Sequence, residues 1–389
     1  MQGTADDART PRPLLGVQGA ADDARASYVP QDEASTEGLL LLCVEQHSRI
    51  SENFKLDSKT SCFISAMAAS ATEPRGGVVT QIARSVGFSK SYNFWLWAVF
   101  GGVLLGFSIS RLPYLDFYGV FCSGPGMARG NMGAATPGEC FYYLNLTLGG
   151  LAIRTHLWCV LPAALLAFGQ FVPIFRRKAL WLHRINGWIS TVLSLIGAFS
   201  ALPMLKHTMG GSTETQSMNL LLLIIFVTAV YKGIVAAKNH RIQEHRDYML
   251  RAWVYGGSVI TLRIIMLATS IMMSYSGNWY VAIPCDKIEY LMDAQNATMA
   301  EYQAKYPECA PQWSGEDPNR HVAVRVYVLD DDPVGVAAAH SHCFGMSGYV
   351  AIILHFVAAE AYIYWTSPER KVSKAIRANE TNHAAKKVE

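Results

Sequence analysis

Six long apolar stretches constrain this chain more than any other feature of its sequence. Each is close to the roughly 20 residues that an α-helix needs to cross the hydrocarbon core of a bilayer. Tryptophan and tyrosine, which are enriched at membrane–water interfaces, lie near several of their ends. The pattern predicts an all-α, polytopic transmembrane helical bundle with about six spans, at residues 93–112, 151–174, 186–205, 218–237, 250–274 and 347–366.

The composition favours lipid as the environment. Charged residues make up 16% of the chain, below the roughly 25% typical of soluble domains, and hydrophobic residues make up 51%. The net charge of +3 is too small to indicate a nucleic-acid partner, and no basic patch is interleaved with aromatic residues. We therefore expect a lipid bilayer around the chain and exclude nucleic-acid binding.

Composition also divides the chain into four regions. Residues 1–88 contain a repeated Ala-Asp-Asp-Ala-Arg pentapeptide and are predicted to be a disordered cytoplasmic segment. A start of translation at Met67 is an alternative for this region. Residues 89–274 contain the first five spans, 275–346 form an acidic loop with cysteines, and 347–389 contain the sixth span and a basic cytoplasmic tail.

The charges of the loops predict an orientation. Basic residues concentrate after the second span, after the fourth span and in the C-terminal tail, so these regions and both chain ends are expected in the cytoplasm. The opposite side carries two long loops, 113–150 and 275–346. Asn-x-Thr sequons at Asn145 and Asn296 make these residues candidate glycosylation sites. A secretory-route membrane or the plasma membrane is the expected location.

Cysteines support the same side for both long loops. Five of them fall there, where an oxidising lumen or the cell exterior permits disulfides. The local pairings are Cys122 with Cys140 and Cys285 with Cys309, although five cysteines allow other connectivities. Residues 287–306, between the second pair, have a helix-forming composition and are predicted to form one helix.

Three polar residues lie at similar predicted depth in the outer half of the spans, namely His156, Arg263 and His355. Polar side chains are costly in a bilayer, so each needs a partner, a cavity or a ligand. The two histidines have two interpretations, an interhelical hydrogen bond or ligation of a metal or haem. Arg263 needs a counter-ion or a polar cavity. A cation such as Lys232 is the candidate partner of Glu360, deeper on the sixth span.

A second cluster lies at the cytoplasmic ends of the third and fifth spans. His183 and Arg184 precede the third span, and His245, Arg246 and Arg251 precede the fifth. Two imidazoles at matched depth on neighbouring helices are what a six-coordinate haem iron requires, and arginines suit its propionates. The same residues would also bind a lipid phosphate. A third interpretation is the ordinary basic belt of the cytoplasmic face.

These residues belong to an ordered series of motifs with a known resemblance. The series resembles an uncharacterised family of predicted membrane proteins, a domain of unknown function with a four-helix core. The resemblance covers roughly residues 150–275 and implies a core of spans two to five with one extra helix on each side. It implies no activity. The motifs are His156…Gly169-Gln170-Phe171, His183-Arg184-x-x-Gly187, Gly210-Gly211, His245-Arg246-x-x-Met249-x-Arg251 and Leu262-Arg263.

Three classes of function follow. The favoured hypothesis is a b-type haem protein that transfers electrons, with haem b between His183 and His245. An outer pair would join His156 to His207 or His355. A small molecule or another protein would donate the electrons, and any enzyme would be a membrane oxidoreductase. The alternatives are a transporter or lipid- or small-molecule-binding protein with a polar intramembrane cavity, and a non-catalytic receptor or assembly subunit.

Other chemistries lack their sequence signatures. The chain has no His-Glu-x-x-His or Cys-x-x-Cys pair, which disfavours zinc hydrolysis. His340-x-His342-Cys343 has ligand-like residue types but is predicted to lie in a loop, where Cys343 is a candidate for a bridge. A Walker-type glycine loop and a nicotinamide or flavin fingerprint are also absent from the sequence.

Overall fold

The computed structural model describes residues 77–123, 134–295, 297–330 and 332–366. Six of its helices are long and apolar enough to cross a membrane, so the predicted all-α polytopic membrane fold is confirmed. The bounds of these helices are α1 Ser91–Ser110, α2 Thr147–Gln170, α3 Leu180–Ser200, α4 Thr213–Lys238, α5 Ile242–Ser276 and α6 Pro333–Thr366.

Shorter elements connect the long helices. A two-stranded antiparallel sheet pairs β1 (Tyr280–Pro284) with β2 (His321–Arg325), and the sequence did not predict it. The short α-helices are Val78–Ser85, Glu139–Asn145, Pro173–Lys178, Cys285–Asp293, Met299–Lys305 and Ala310–Trp313. The 3₁₀ turns are Leu112–Leu115, Leu202–Met204, Thr208–Gly211 and Pro307–Cys309, and π turns occur at Trp97–Gly101 within α1 and at Phe117–Phe121.

The start of α6 corrects the sequence-based boundary. The helix begins at Pro333, not at residue 347. Proline suits the first helical turn, and a carboxylate oxygen of Asp332 accepts a hydrogen bond from the backbone N–H of Val334. The prediction that His340-x-His342-Cys343 lies in a loop is therefore wrong. Hydropathy missed this part of the helix because it is rich in small residues and contains two histidines.

Both predicted disulfides, Cys122–Cys140 and Cys285–Cys309, are present, and Cys343 is a buried free thiol. The bridges lie at one end of the bundle, which we call the disulfide end. The opposite end carries the basic helix Pro173–Lys178, and we call it the basic end. The single helix predicted over 287–306 is wrong, because a capping box of Thr298 and Glu301 starts a second helix after Cys285–Asp293.

Five of the six long helices form two groups, and α1 packs on α2. Helix α2 packs closely on α3, and α4, α5 and α6 pack closely on one another. Glycines allow the tightest contacts, since a Cβ at Gly348 of α6 would lie 2.5 Å from the Met218 side chain of α4. Close backbone contact between the α2–α3 pair and the α4–α5–α6 group is sparse and mainly joins α3 to α4. We call the boundary between these two groups the inter-group interface.

Several predictions concern residues outside those that the structure describes. These are the N-terminal segment up to residue 76, including Met67, the sequon at Asn296, and the tail after residue 366. The predictions made for them stay predictions. Disorder was also predicted for residues 77–88, and that part is wrong, because they contain the helix Val78–Ser85.

Candidate functional site

His183 and His245 lie at the basic end, on opposite sides of the inter-group interface. Each stands in the first turn of its helix, His183 in α3 and His245 in α5. They are close enough for the charge of one to act on the other. The structure therefore brings together the two histidines that the sequence paired.

A hydrogen bond sets the tautomer of His245. Its Nδ1 lies 2.9 Å from the carbonyl oxygen of Gly233 in α4. Because a carbonyl only accepts, Nδ1 carries the proton and Nε2 is left with a free lone pair. A Cβ at Gly233 would lie 2.7 Å from the terminal methyl of Met249, so this flexible side chain would have to shift if a larger residue stood there. The hydrogen bond to Gly233 therefore fixes His245 in the neutral tautomer whose Nε2 can bind a metal ion.

His183 is buried in part, and its Nδ1 has no hydrogen-bond partner within the described part of the chain. The turn that carries it is fixed to the end of α2. The side-chain amide of Asn186 donates to the carbonyl oxygen of Leu166 at 3.0 Å, and a Cβ at Gly187 would lie 3.4 Å from the Gln170 side-chain oxygen. The motif residues around His183 thus position the helix, and the imidazole itself keeps an unused nitrogen.

The arginines of this cluster have different partners. Arg251 donates two hydrogen bonds to Glu360 of α6, at 2.6 and 2.7 Å, and Tyr255 donates a third at 3.1 Å. Lys232 as the partner of Glu360 is therefore wrong. Its ammonium lies 5.5 Å from the centre of the Tyr248 ring instead. Hydropathy estimates the depth of a residue in a helix, but the rotation of α5 decides which cation meets Glu360.

The remaining arginines near the histidines are more accessible. Arg246 pairs with Asp247 at 2.8 Å and lies over the ring of Tyr362. Arg184 is exposed, and so is Arg176, a residue that the sequence did not single out for the site. The charges of Arg176 and Arg184 both act on His183. These two guanidiniums are the ones available to an anionic group beside the histidines.

His355 is fully engaged in hydrogen bonds between α5 and α6. Its Nδ1 donates to the carbonyl oxygen of Val254 at 2.6 Å, and its Nε2 accepts from the hydroxyl of Thr261 at 2.8 Å. No ring nitrogen is left for a metal ion. The contacts fit the interhelical hydrogen bond that was one of the two interpretations of this residue.

The other members of the predicted outer pair do not meet. His156 of α2 donates from Nδ1 to the carbonyl oxygen of Gly197 in α3 at 2.8 Å, which leaves its Nε2 free. His207 precedes α4 and stacks on the ring of Tyr142, with 4.6 Å between the ring centres. Burial lowers the pKa of His207, and the charges of Lys206 and Lys287 lower it further. None of the contacts within the described ranges joins the two imidazoles.

Arg263 of α5 lies among polar residues at the disulfide end. Its charge acts on His156 of α2, His340 of α6 and Arg111 after α1. The ring of Phe107 lies below it, 5.9 Å from the guanidinium carbon. No described residue accepts a hydrogen bond from Arg263, and its side chain is exposed. The guanidinium thus lies between several helices, where the charge of Glu139 acts on it but no described carboxylate forms a direct ion pair with it.

Comparison with known proteins identifies the same segment of the chain that carries the sequence motifs. Residues 153–283 match the family described as Predicted membrane protein (DUF2306). The match confirms the resemblance seen in the motifs, and it runs from α2 to β1. The chain is also similar to the Ava biosynthesis cluster protein G of Aspergillus versicolor, at 24% identity over 72% of this chain and 90% of that protein. No solved structure matches the chain.

The DUF2306 segment contains His156, His183, His245 and Arg263, but residues outside it complete the disulfide end. Glu139 is one of them, and sequence reasoning missed it because it lies in the predicted loop 113–150, beside a cysteine. It is buried, and its two carboxylate oxygens accept from the Met209 N–H at 2.9 Å and the Tyr143 hydroxyl at 3.1 Å. This contact holds Met209, whose φ is 47°, ahead of the Gly210-Gly211 turn.

Lys287 is the second buried charge that the sequence did not indicate, and it acts on Glu139. Burial raises the pKa of Glu139, and the charge of Lys287 opposes that rise. Burial likewise lowers the pKa of Lys287, and Glu139 opposes that change. The two groups therefore form a mutually supporting pair outside the DUF2306 segment. The charge of Arg263 also acts on Glu139, but more weakly than that of Lys287.

Metal sites built from three or more His, Cys, Asp or Glu side chains do not occur among the described residues. The basic end offers a smaller set of ligands than such a metal site. It offers two imidazoles on separate helices, a ligand type that haem iron accepts, whereas a structural zinc site needs four protein ligands.

Proposed function

We propose that this integral membrane protein binds haem b between His183 and His245 and transfers electrons. The placement of these two imidazoles supports the proposal most directly. They lie within electrostatic reach across the inter-group interface, one with its Nε2 free and the other with an unpartnered Nδ1. Structural histidines such as His355 show the opposite condition, with both nitrogens in hydrogen bonds.

The surroundings of the two histidines also suit haem. Because close backbone contact between the two helix groups is sparse, side chains such as the two imidazoles form much of this interface. Arg176 and Arg184 are exposed near His183, where they would pair with propionates. Gly233 orients His245 through its carbonyl oxygen. Haem bound there would supply one-electron chemistry, while this chain supplies the ligands, their orientation and the charge around them.

The name of the Aspergillus versicolor relative connects that protein with a biosynthesis cluster and states no reaction. The electron donor and acceptor are therefore proposed only by class. A small soluble molecule or a protein partner at either end of the bundle would serve, since the sequence contains no nicotinamide or flavin fingerprint.

A visible absorption spectrum of the purified full chain tests the proposal. We expect a sharp pair of reduced-minus-oxidised bands typical of low-spin haem with two imidazole ligands, after expression with haem supplied. Extraction of the pigment and its assay as a pyridine complex would give the haem content per chain. A flat spectrum from protein that elutes as a single folded species would contradict haem binding.

We further propose that the disulfide end faces the lumen of the secretory route or the cell exterior, with both chain ends in the cytoplasm. The two disulfides and the exposed sequon at Asn145 support this orientation. We expect glycosidase to increase the electrophoretic mobility of the wild-type chain and to leave an Asn145→Gln, Asn296→Gln double variant unchanged. Asn379→Gln, in the predicted cytoplasmic tail, is the control and should behave as wild type. Loss of the glycosidase effect in this control alone would reverse the orientation.

A further inference from the structure

The cations around Arg263 exceed the anions that the structure provides for them. Arg263 and Arg111 interact electrostatically, and both lie over the ring of Phe107, at 5.9 and 5.2 Å. Like charges this close raise the energy of the folded state unless a counter-ion lies between them. The charge of Glu139 acts on Arg263, but its two carboxylate oxygens accept hydrogen bonds from Met209 and Tyr143 and none from Arg263.

The geometry of the two guanidiniums favours an oxyanion as the missing partner. A guanidinium that lies over an aromatic ring keeps its N–H groups free in its own plane, where a carboxylate or phosphate accepts two parallel hydrogen bonds. Arg111 uses one of its N–H groups to donate to the Tyr114 hydroxyl at 2.9 Å. Arg263 donates to no described residue, so its whole planar edge is available.

His340 gives a second and independent sign of a ligand. Its Nδ1 is buried and has no hydrogen-bond partner among the residues that the structure describes. The histidine stands on α6, and the charge of Arg263 on α5 acts on it. A buried ring nitrogen without a partner is costly. An acceptor oxygen or hydroxyl of a bound molecule would remove that cost together with the repulsion between the arginines.

The site is also accessible. The side chain of Arg263 is exposed even though groups on α2, α6 and the Glu139–Asn145 helix lie within reach of its charge. A fully packed position would leave no such surface. In a bilayer this exposed surface is open to lipid, at the disulfide end of the DUF2306 segment.

We propose that Arg263, Arg111 and His340 bind an oxyanion, a carboxylate or phosphate group of a small molecule or lipid headgroup, at the disulfide end. The site is separate from the histidine pair at the basic end and does not depend on haem. It gives Arg263 the counter-ion that an arginine inside a membrane span requires.

The test compares phosphate from two sources on the full chain in nanodiscs. One arm uses neutral phosphatidylcholine nanodiscs and titrates inorganic phosphate at constant ionic strength against chloride. The other arm replaces part of the lipid with phosphatidate. Binding is followed as the rise in the unfolding temperature, because a ligand specific for the folded state stabilises it by mass action.

We expect a saturable rise for the wild type in at least one arm, and at least a tenfold weaker response for Arg263→Gln. A response in the first arm identifies a free anion, and a response in the second arm alone identifies a lipid headgroup. Arg154→Gln is the matched control, because Arg154 lies at the same end but donates to the Gly150 carbonyl and lies over Phe117. It should respond as wild type.

Arg111→Gln and Arg263→Lys keep the test decisive if Arg263→Gln does not fold. Arg111→Gln should weaken the response as well, and Arg263→Lys should weaken it while preserving the charge, because lysine has no planar fork. Equal responses in the wild type and these variants, or no response of the wild type in either arm, would overturn the proposal.

Discussion

Replacement of either His183 or His245 with alanine is expected to remove the low-spin haem bands of the purified protein. In the proposed site each imidazole would supply one nitrogen ligand to haem, so a single substitution would remove one of the two protein ligands. Even changes in residues that only support a metal ligand cost about 10- to 100-fold in affinity. We therefore expect haem content to fall by about tenfold or more in each variant, as measured by pigment extraction.

His355→Gln is the control for this pair. His355 is also a histidine inside the bundle, but both of its nitrogens are used in hydrogen bonds to Val254 and Thr261. The variant should lose some stability and keep the haem bands. Wild-type spectra from both His183→Ala and His245→Ala would exclude them as ligands. Loss of the bands in His355→Gln at unchanged folding would point to a different ligand set.

Much of the fold could be predicted from the sequence because a bilayer imposes simple rules. A crossing helix needs about 20 apolar residues, and its loops reveal their side by charge and cysteine content. These rules gave six spans and both disulfides. They failed at the start of α6, where small residues and two histidines lower the hydropathy of a segment that is helical from Pro333.

One of the two candidate sites could be predicted from the sequence, and the other could not. His183 and His245 were predictable as a pair because each follows a basic loop and begins a helix, which fixes its depth. The neighbours of Arg263 were not predictable. Arg111, Glu139 and His340 lie far from Arg263 in the sequence, and no periodic pattern links them. Folding of the disulfide end brings them together, and neither hydropathy nor motif spacing contains that information.

The rotation of a helix about its axis is the third quantity that the sequence did not supply. Glu360 was assigned Lys232 as a partner from depth alone, whereas the structure joins it to Arg251. Arg251 closes the motif that begins at His245, so this ion pair also fixes the face that α5 turns to α6. Its contribution to stability can be measured directly.

Removal of Glu360 is expected to destabilise the bundle more than removal of an equivalent surface carboxylate. Glu360→Leu would leave the Arg251 guanidinium without its two hydrogen bonds inside a membrane span, where neither lipid nor neighbouring side chains replace them. Hydrogen bonds to charged groups and broken ion pairs suggest a loss of about 2–3 kcal/mol, with allowance for the partial exposure of both side chains.

Reversible denaturation of the chain in mixed micelles measures this loss, and two further variants interpret it. Glu244→Gln breaks the exposed Arg241–Glu244 pair on the same helix, which should cost about 1 kcal/mol or less. The double variant Arg251→Met, Glu360→Leu removes both charges and should recover most of the stability, because an unpaired charge and not the missing attraction causes the loss. A Glu360→Leu variant as stable as Glu244→Gln would show that lipid headgroups or water satisfy Arg251, and that the pair does not hold α5 against α6.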